Sequence, residues 1–554
     1  MFKFRLLIGI IFYLSIFTIY TGCASDAASS LPAVDNQSYT DADTDTDSDA
    51  DGDIDLLAYS YIDTDANGEI DEIIDVDSDG EVMGVNPFVY TAFDPFSTFA
   101  TDVDTASYNI FRQYLASELL IEPSKVRLEE FVNFFKYDYH YPDASAEEPF
   151  SISLDTAPGI FYEDTRILRI GIQAKKLPED YKKPANIVFL VDVSGSMDSS
   201  DKLPLVKYTL KKSLDFLTEG DTVSIVSYSS QTSVRLKPAD VVSGREDIID
   251  VIDSLYASGS TNGSDGIKLA YEQAEAGMIE GGINHVILCT DGDFNFNITG
   301  TDDLVSLIEK ERDKGITLTA LGYGMSSNDE MMEAVSNAGD GVYTVLADKN
   351  QADEFILNKM LGSLMYVAKD VKIQVEFNPE YVLAYRLLGY ENRAISDEDF
   401  RNDSVDGGEV GYEHQVTALY QIIPNDSTVP VVLGAPVAID GTPYDGEREI
   451  KADEAALVKI RYKNPEATTD DPAFEVVKTI VPDDINGDLE NADSDMLWAL
   501  GVASFSEILK QSPYASKSNI DAFTAILKAN TKELKEREEF VTLVNKAVLL
   551  LDKK

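Results

Sequence analysis

The chain has 554 residues, of which 99 are Asp or Glu and 45 are Lys or Arg, for a formal net charge of −54. That balance argues against nucleic acid, since neutralising a phosphate backbone takes an excess of basic side chains, and against anionic lipid bound through a basic patch; metal cations and basic or neutral partners suit it better. Hydrophobic residues at 44% and aromatics at 10% are ordinary globular values, so most of the chain can bury a core, and the length suits about three or four domains.

At the N-terminus, Lys3 and Arg5 precede an apolar run from Leu6 to Tyr20, followed by Thr21-Gly22-Cys23. A membrane span needs about 20 apolar residues, so this shorter run reads as a signal-peptide core within residues 1–22. Gly22-Cys23 resembles the lipobox of bacterial lipoproteins, with Tyr20 where an aliphatic residue is usual. The resemblance implies acylation at Cys23, which becomes the mature N-terminus and ties the chain to a membrane. Plain secretion with cleavage near Ala24 is the alternative. Ala24 and Ser25 lack the Asp that follows Cys in enteric-type inner-membrane sorting, so the expected location is the cell envelope, at the outer membrane or cell surface.

Residues 23–90 form an acidic tether. Between Asp35 and Glu81 there are 18 Asp or Glu and no Lys or Arg. With few large apolar residues, such a segment is expected to be extended or disordered without a ligand. Three stretches within it share D-x-D-x-[DN]-G, the first half of an EF-hand-type loop, in which alternating carboxylates face one ion. The candidate calcium residues are Asp47, Asp49, Asp51 and Asp55, then Asp63, Asp65, Asn67 and Asp71, then Asp75, Asp77 and Asp79. The twelfth loop position falls on Ala58, Ile74 and Asn86 rather than on a bidentate Glu. The repeats therefore look more like thrombospondin type 3 or dockerin loops than EF-hands. The other reading is a solvated Asp/Thr/Ser spacer.

Residues 91–182 carry the aromatic stretch Phe131–Tyr141, expected to pack a core rather than to offer a ligand platform. From Asn186 the pattern changes. Ile187–Val191, Val223–Val226, Val286–Cys289, Ile316–Leu321 and Val342–Leu346 are short apolar runs, as in strands buried on both faces. Between them Leu203, Val206, Leu210, Leu214 and Leu217, and Ile267, Ala270, Tyr271, Ala274 and Met278, recur at helical spacing. The alternation predicts a doubly wound, Rossmann-like α/β sheet over residues 183–366, with ligands at the carboxyl ends of its strands. Cys289, inside one apolar run, reads as a small buried hydrophobe.

At those predicted strand ends stand Asp192-Val-Ser194-Gly-Ser196, Gly259-Ser-Thr261-Asn262-Gly263 and Thr290-Asp291-Gly292-Asp293. The three loops together resemble the metal-ion-dependent adhesion site of von Willebrand factor type A (VWA) domains. The resemblance implies that Ser194, Ser196 and Thr261 are hydroxyl ligands of Mg2+, with Mn2+ or Ca2+ as substitutes, and that Asp192 and Asp291 coordinate directly or through water. It assigns no role to Asn262 or Asp293. Magnesium takes six oxygens in octahedral geometry and commonly keeps several waters. Neutral hydroxyls and only two carboxylates would leave the ion electrophilic, so that an acidic side chain on a protein partner completes its shell.

Further on, residues 367–482 are β-rich, with Val371–Val375, Thr417–Ile423 and Ala456–Tyr462 as strands. A sandwich-like domain is expected, taking strands from residues 148–175 as well, so that the VWA domain is an insertion between its halves. Residues 483–554 are helical, with Met496, Leu497, Leu500, Ala503 and Ile508 before a helix from Thr531 to Leu551. The segments Asp94–Tyr108, Val126–Phe134, Leu388–Ala394, Asp397–Phe400 and Val416–Tyr420 are similar to the flanking regions of a bacterial VWA lipoprotein family. His140, His285 and His414 sit in no catalytic or zinc motif, and the chain has no P-loop, G-x-G-x-x-G or H-E-x-x-H. A non-enzymatic, cation-dependent protein-binding module is expected. A metal-dependent hydrolase, or a structural envelope protein with a vestigial site, is the alternative. For the tether, a peptide spanning residues 40–90 is expected to change its circular dichroism as calcium rises to about 10 mM, enough to fill sites in the roughly millimolar range of extracellular calcium modules.

Overall fold

In the computed structural model the described residues are most of 84–551, with several gaps, the longest at 428–443, and two strands, Ser60–Ile62 and Glu72–Ile74, paired antiparallel. Cys23 and all the candidate calcium residues lie outside the described residues, as do Asn262 and Asp293. Asn86, at the twelfth position of the third acidic loop, donates its amide to the Leu387 and Gly389 carbonyls at 3.1 and 2.8 Å.

Six strands form the central sheet. In chain order they are β1 (Ala185–Asp192), β2 (Thr222–Tyr228), β3 (Thr232–Asp240), β4 (Ile283–Thr290), β5 (Ile316–Tyr323) and β6 (Tyr343–Leu346). Their spatial order is β6-β5-β4-β1-β2-β3, with every pair parallel except β2 and β3. Alternate residues of β1 go to opposite faces, as a strand period of two requires. Ile187, Phe189 and Val191 pack with Val206 and Leu210 of the helix Leu203–Ser213. Val188 and Leu190 pack with Ile267, Ala270 and Ala274 of the helix Gly263–Ala276.

The apolar runs thus became strands, each extended by a residue or more except at the short β6 edge. Two helical stripes stop sooner than their spacing predicts. Leu203–Ser213 ends before Leu217, and Met278 lies beyond Gly263–Ala276, 46% exposed. Edge strand β3 has no apolar run to announce it, because its residues alternate between partly and fully exposed. Pro238 is tolerated there because an edge strand can spare an N–H.

Two five-stranded sheets flank this domain. In one, Tyr366–Phe377 lies at the centre, paired with Ala456–Lys463, Phe96–Ala100 and Val410–Gly411, and Phe474–Ile480 adds to the edge. In the other the order is Val89–Tyr90, Val382–Leu388, Gln415–Pro424, Arg166–Ala174 and Phe150–Pro158. Both sheets contribute to one core containing Phe99, Ile170, Ile172, Ile373, Val375, Phe377, Tyr420 and Ile460, which makes them a sandwich. Arg166–Ala174 pairs with Gln415–Pro424 from Arg166 opposite Ile422 to Gln173 opposite Gln415. The chain therefore leaves the sandwich, builds the central sheet and returns, as an insertion demands.

Helices Ala106–Ala116, Leu128–Phe134, Ser494–Lys510, Ile520–Ala529 and Lys535–Leu551 form a further layer. The last begins four residues later than expected, because Lys532 and Glu533 adopt left-handed φ of 51° and 58°. Its core is aromatic, with Phe135 edge-on to Trp498 at 5.1 Å and Phe111 to Phe505 at 5.6 Å. Phe131, Phe135, Tyr137 and Tyr139 are all buried, the packing role expected of that stretch.

Ion pairs join these parts. Asp104 accepts from Arg393 at 3.0 Å and from the Tyr343 backbone N–H at 2.6 Å, while Arg393 also reaches Glu333 at 3.0 Å. The sandwich and the helical layer meet at Arg386, which is fully buried, pairs with Glu507 at 2.6 Å and donates to Gln421 at 2.9 Å. Removing one partner of a buried pair leaves an uncompensated charge in a low-dielectric interior. Glu507→Ala is therefore expected to cost about 3–5 kcal/mol in denaturant unfolding.

Candidate metal centre

The strand order reverses between β1 and β4, because the chain goes from β1 to β2 on one side and returns to β4 on the other. That reversal opens a crevice at the carboxyl ends of the two strands. Asp192 is the last residue of β1 and Asp291 follows the last residue of β4. Both carboxylates are buried.

Each oxygen of Asp192 has a donor, Ser194 N–H at 2.7 Å on Oδ1 and Thr290 Oγ1 at 3.1 Å on Oδ2. These contacts hold the loop after β1 folded back over its own strand. Burial pushes the Asp192 carboxyl up to about 6 against the Ser194 hydrogen bonds, and the Asp291 charge adds to the rise. Beneath it, burial raises the Tyr228 phenol well above its ordinary value, with the Asp192 charge contributing. The site thus brings two buried carboxylates to one crevice, and the like charge of Asp291 adds to the rise of Asp192.

Ser194 Oγ and Ser196 Oγ lie 2.9 Å apart. Adjacent oxygens around an octahedral magnesium, at about 2.1 Å from the ion, are themselves about 3 Å apart. The hydroxyl pair therefore fits two neighbouring corners of such a shell. The Gly259–Gly263 loop is drawn in by backbone, with Gly195 N–H donating to Gly259 O at 2.9 Å and Ser258 N–H to Val193 O at 2.7 Å. Thr261 follows, partly buried, two residues before the helix Gly263–Ala276. The structure so brings the three predicted loops to one edge. Among the described residues no group of three or more His, Cys, Asp or Glu could hold a metal; the proposed centre counts hydroxyls among its donors.

Sequence reasoning missed Lys202. Its ammonium donates to Asp291 Oδ2 at 2.8 Å and to the Ser196 carbonyl at 3.1 Å. A lysine at the start of a helix reads as a solvated charge, and nothing in its spacing marks a partner 89 residues away. His285 lies in β4, buried and held neutral by burial, with Nδ1 2.6 Å from Thr317 Oγ1. Cys289 is fully buried and its thiol is pushed up to about 12 by that burial.

The fold and site define a von Willebrand factor type A domain protein. That family matches residues 186–358, a second, described as von Willebrand factor, matches residues 78–169, and one described as the C-terminal part of the uncharacterized protein YfbK matches residues 362–550. The YfbK protein of Escherichia coli is 36% identical over 444 residues, covering 78% of this chain and 74% of that protein. The chain belongs to the YfbK family. An inter-alpha-trypsin inhibitor heavy chain of Bos taurus is 29% identical over 166 residues, 28% of this chain and 18% of its own length. A solved structure, von Willebrand factor type A from Catenulispora acidiphila, is 16% identical with a TM-score of 0.41, covering 73% of this chain and 91% of that one.

Gly259 tests the loop geometry. It has φ of +79°, and a Cβ there would meet Ser230 Oγ at 2.4 Å. Gly281 shares a left-handed φ, +70°, with nothing within 4 Å. Both alanine variants are expected to lose about 1–2 kcal/mol of stability to backbone strain. Only Gly259→Ala is expected also to weaken Mn2+ binding in calorimetric titration, since only that loop carries Thr261.

Proposed function

We propose that this chain is an exported, lipid-anchored envelope protein that captures a protein partner through a divalent cation held by Asp192, Ser194, Ser196, Thr261 and Asp291. The observation that carries the reading is the meeting of two buried carboxylates with a hydroxyl pair of octahedral spacing at the crevice between β1 and β4. Membership of a VWA family supports a protein-interaction role rather than catalysis.

The cation would supply Lewis acidity towards an incoming carboxylate. The chain's own residues do the rest. Ser194 and Ser196 present neutral oxygens, so the charge of the ion is only partly cancelled. The Ser194 N–H and Thr290 hydroxyl hold the Asp192 carboxylate in one orientation. The acidic body repels an acidic partner at long range, and the cation makes close approach favourable. Mg2+ is the proposed resident ion, with Mn2+ or Ca2+ able to replace it. The proposed anchor is a lipid on Cys23, with the acidic tether as a spacer that calcium can order. Among the described residues no helix is long and apolar enough to cross a membrane.

The test is capture from envelope extracts with Mg2+ or Mn2+, comparing wild type with the Asp192→Ala, Ser196→Ala double variant. Capture is expected with metal and lost with chelator or in the variant. Capture indifferent to both changes contradicts the reading. Ester or phosphate hydrolysis that is lost in the same variant would favour the hydrolase.

A further inference from the structure

Lys202 is placed with more care than a surface lysine needs. It comes just before the helix Leu203–Ser213, and its carbonyl accepts from Val206 N–H at 2.8 Å, which ties its backbone to the first helical turn. From there the side chain runs inward, only 15% exposed, to an Asp291 side chain that is 1% exposed. Gly324, directly after β5, lies against this side chain. It has φ of +85°, and a Cβ at that position would meet Lys202 Cε at 2.6 Å. The ammonium thus leaves the loop that carries Ser194 and Ser196, passes over a bare backbone and joins the carboxylate of another loop.

A buried carboxylate needs a compensating charge. Lys202 supplies it, at one of the two carboxylates proposed to hold the cation. An ammonium and a divalent cation repel strongly at a few ångströms in a poorly solvated crevice. Lys202 holds Asp291 Oδ2, so an ion on the same carboxylate binds against that repulsion unless the ammonium moves off. Lys202 also holds the Ser196 carbonyl at 3.1 Å, so its release removes one of the contacts that fix the loop presenting the Ser196 hydroxyl.

We infer that Lys202 is a built-in competitor for the divalent cation: its ammonium occupies Asp291 Oδ2 and moves off when the ion binds, which raises the ion concentration at which the site fills. The inference rests on the proposed metal site. It adds that filling is an exchange of one cation for another rather than addition to an open site. Once released, the ammonium stands at the rim of the crevice as a second positive group for an acidic partner.

The experiment titrates the full chain with Mn2+ by calorimetry, for wild type, Lys202→Met and Lys202→Arg, with the Asp192→Ala, Ser196→Ala variant as the baseline for ions held elsewhere. Lys202→Met is expected to bind Mn2+ several-fold more tightly than wild type, and Lys202→Arg no more tightly. Thermal melts give a second readout. In EDTA, Lys202→Met is expected to melt below wild type, because Asp291 has lost its counter-ion, and saturating Mn2+ is expected to close that gap. Equal or weaker Mn2+ binding by Lys202→Met, or a melting deficit that persists at saturation, overturns the inference while leaving the metal site standing. No binding above baseline by wild type or by Lys202→Met overturns the site and the inference together.

Discussion

Asp192 and Asp291 are buried at the ends of neighbouring parallel strands, and two like charges in a low-dielectric crevice must be compensated. Much of the surrounding architecture answers that requirement. The loop after β1 folds back to donate to Asp192, Thr290 donates from the next strand, and Lys202 reaches Asp291 over Gly324. A sheet whose strand order reverses at this point is what brings the two carboxylates together, because each strand delivers one of them at its carboxyl end. The same burial that raises the Asp192 carboxyl makes a cation valuable here, since charge pairing strengthens as water is excluded.

The rest of the chain holds this edge in place. The central sheet is inserted into a sandwich whose strands come from both sides of it, Arg166–Ala174 before and Tyr366–Phe377 after, so both of its ends lead into paired strands. The segments Asp94–Tyr108 and Leu388–Ala394, similar to family flanking regions, meet where Asp104, Arg393 and Glu333 form one ionic chain between the sandwich side and the central domain. Arg386 and Glu507 repeat the device between sandwich and helices. Buried pairs of this kind add little net stability over an apolar contact but penalise any other arrangement. They specify how the parts dock.

The α/β domain was legible because strands buried on both faces must be continuous apolar runs and their crossover helices must carry apolar stripes. The sandwich was legible in outline from its alternating strands on both sides of the insertion. The helix ends at Ser213 and Ala276, and the start at Lys535, were less so, since a stripe persists after backbone geometry has ended the helix. Edge strand β3 left no apolar run because half of it faces solvent. The five candidate ligands were readable as three loops of the right types at predicted strand ends. Lys202 was not, because its role depends on Gly324 and Asp291, which only the folded chain brings to it.

A crystal structure grown in Mn2+ tests the central claim most directly, through anomalous scattering. The account predicts one strong peak beside Ser194 Oγ, Ser196 Oγ and Thr261 Oγ1, with Lys202 turned away from Asp291. Absence of a peak there at millimolar Mn2+, with the Lys202 ammonium still on Asp291, would contradict it.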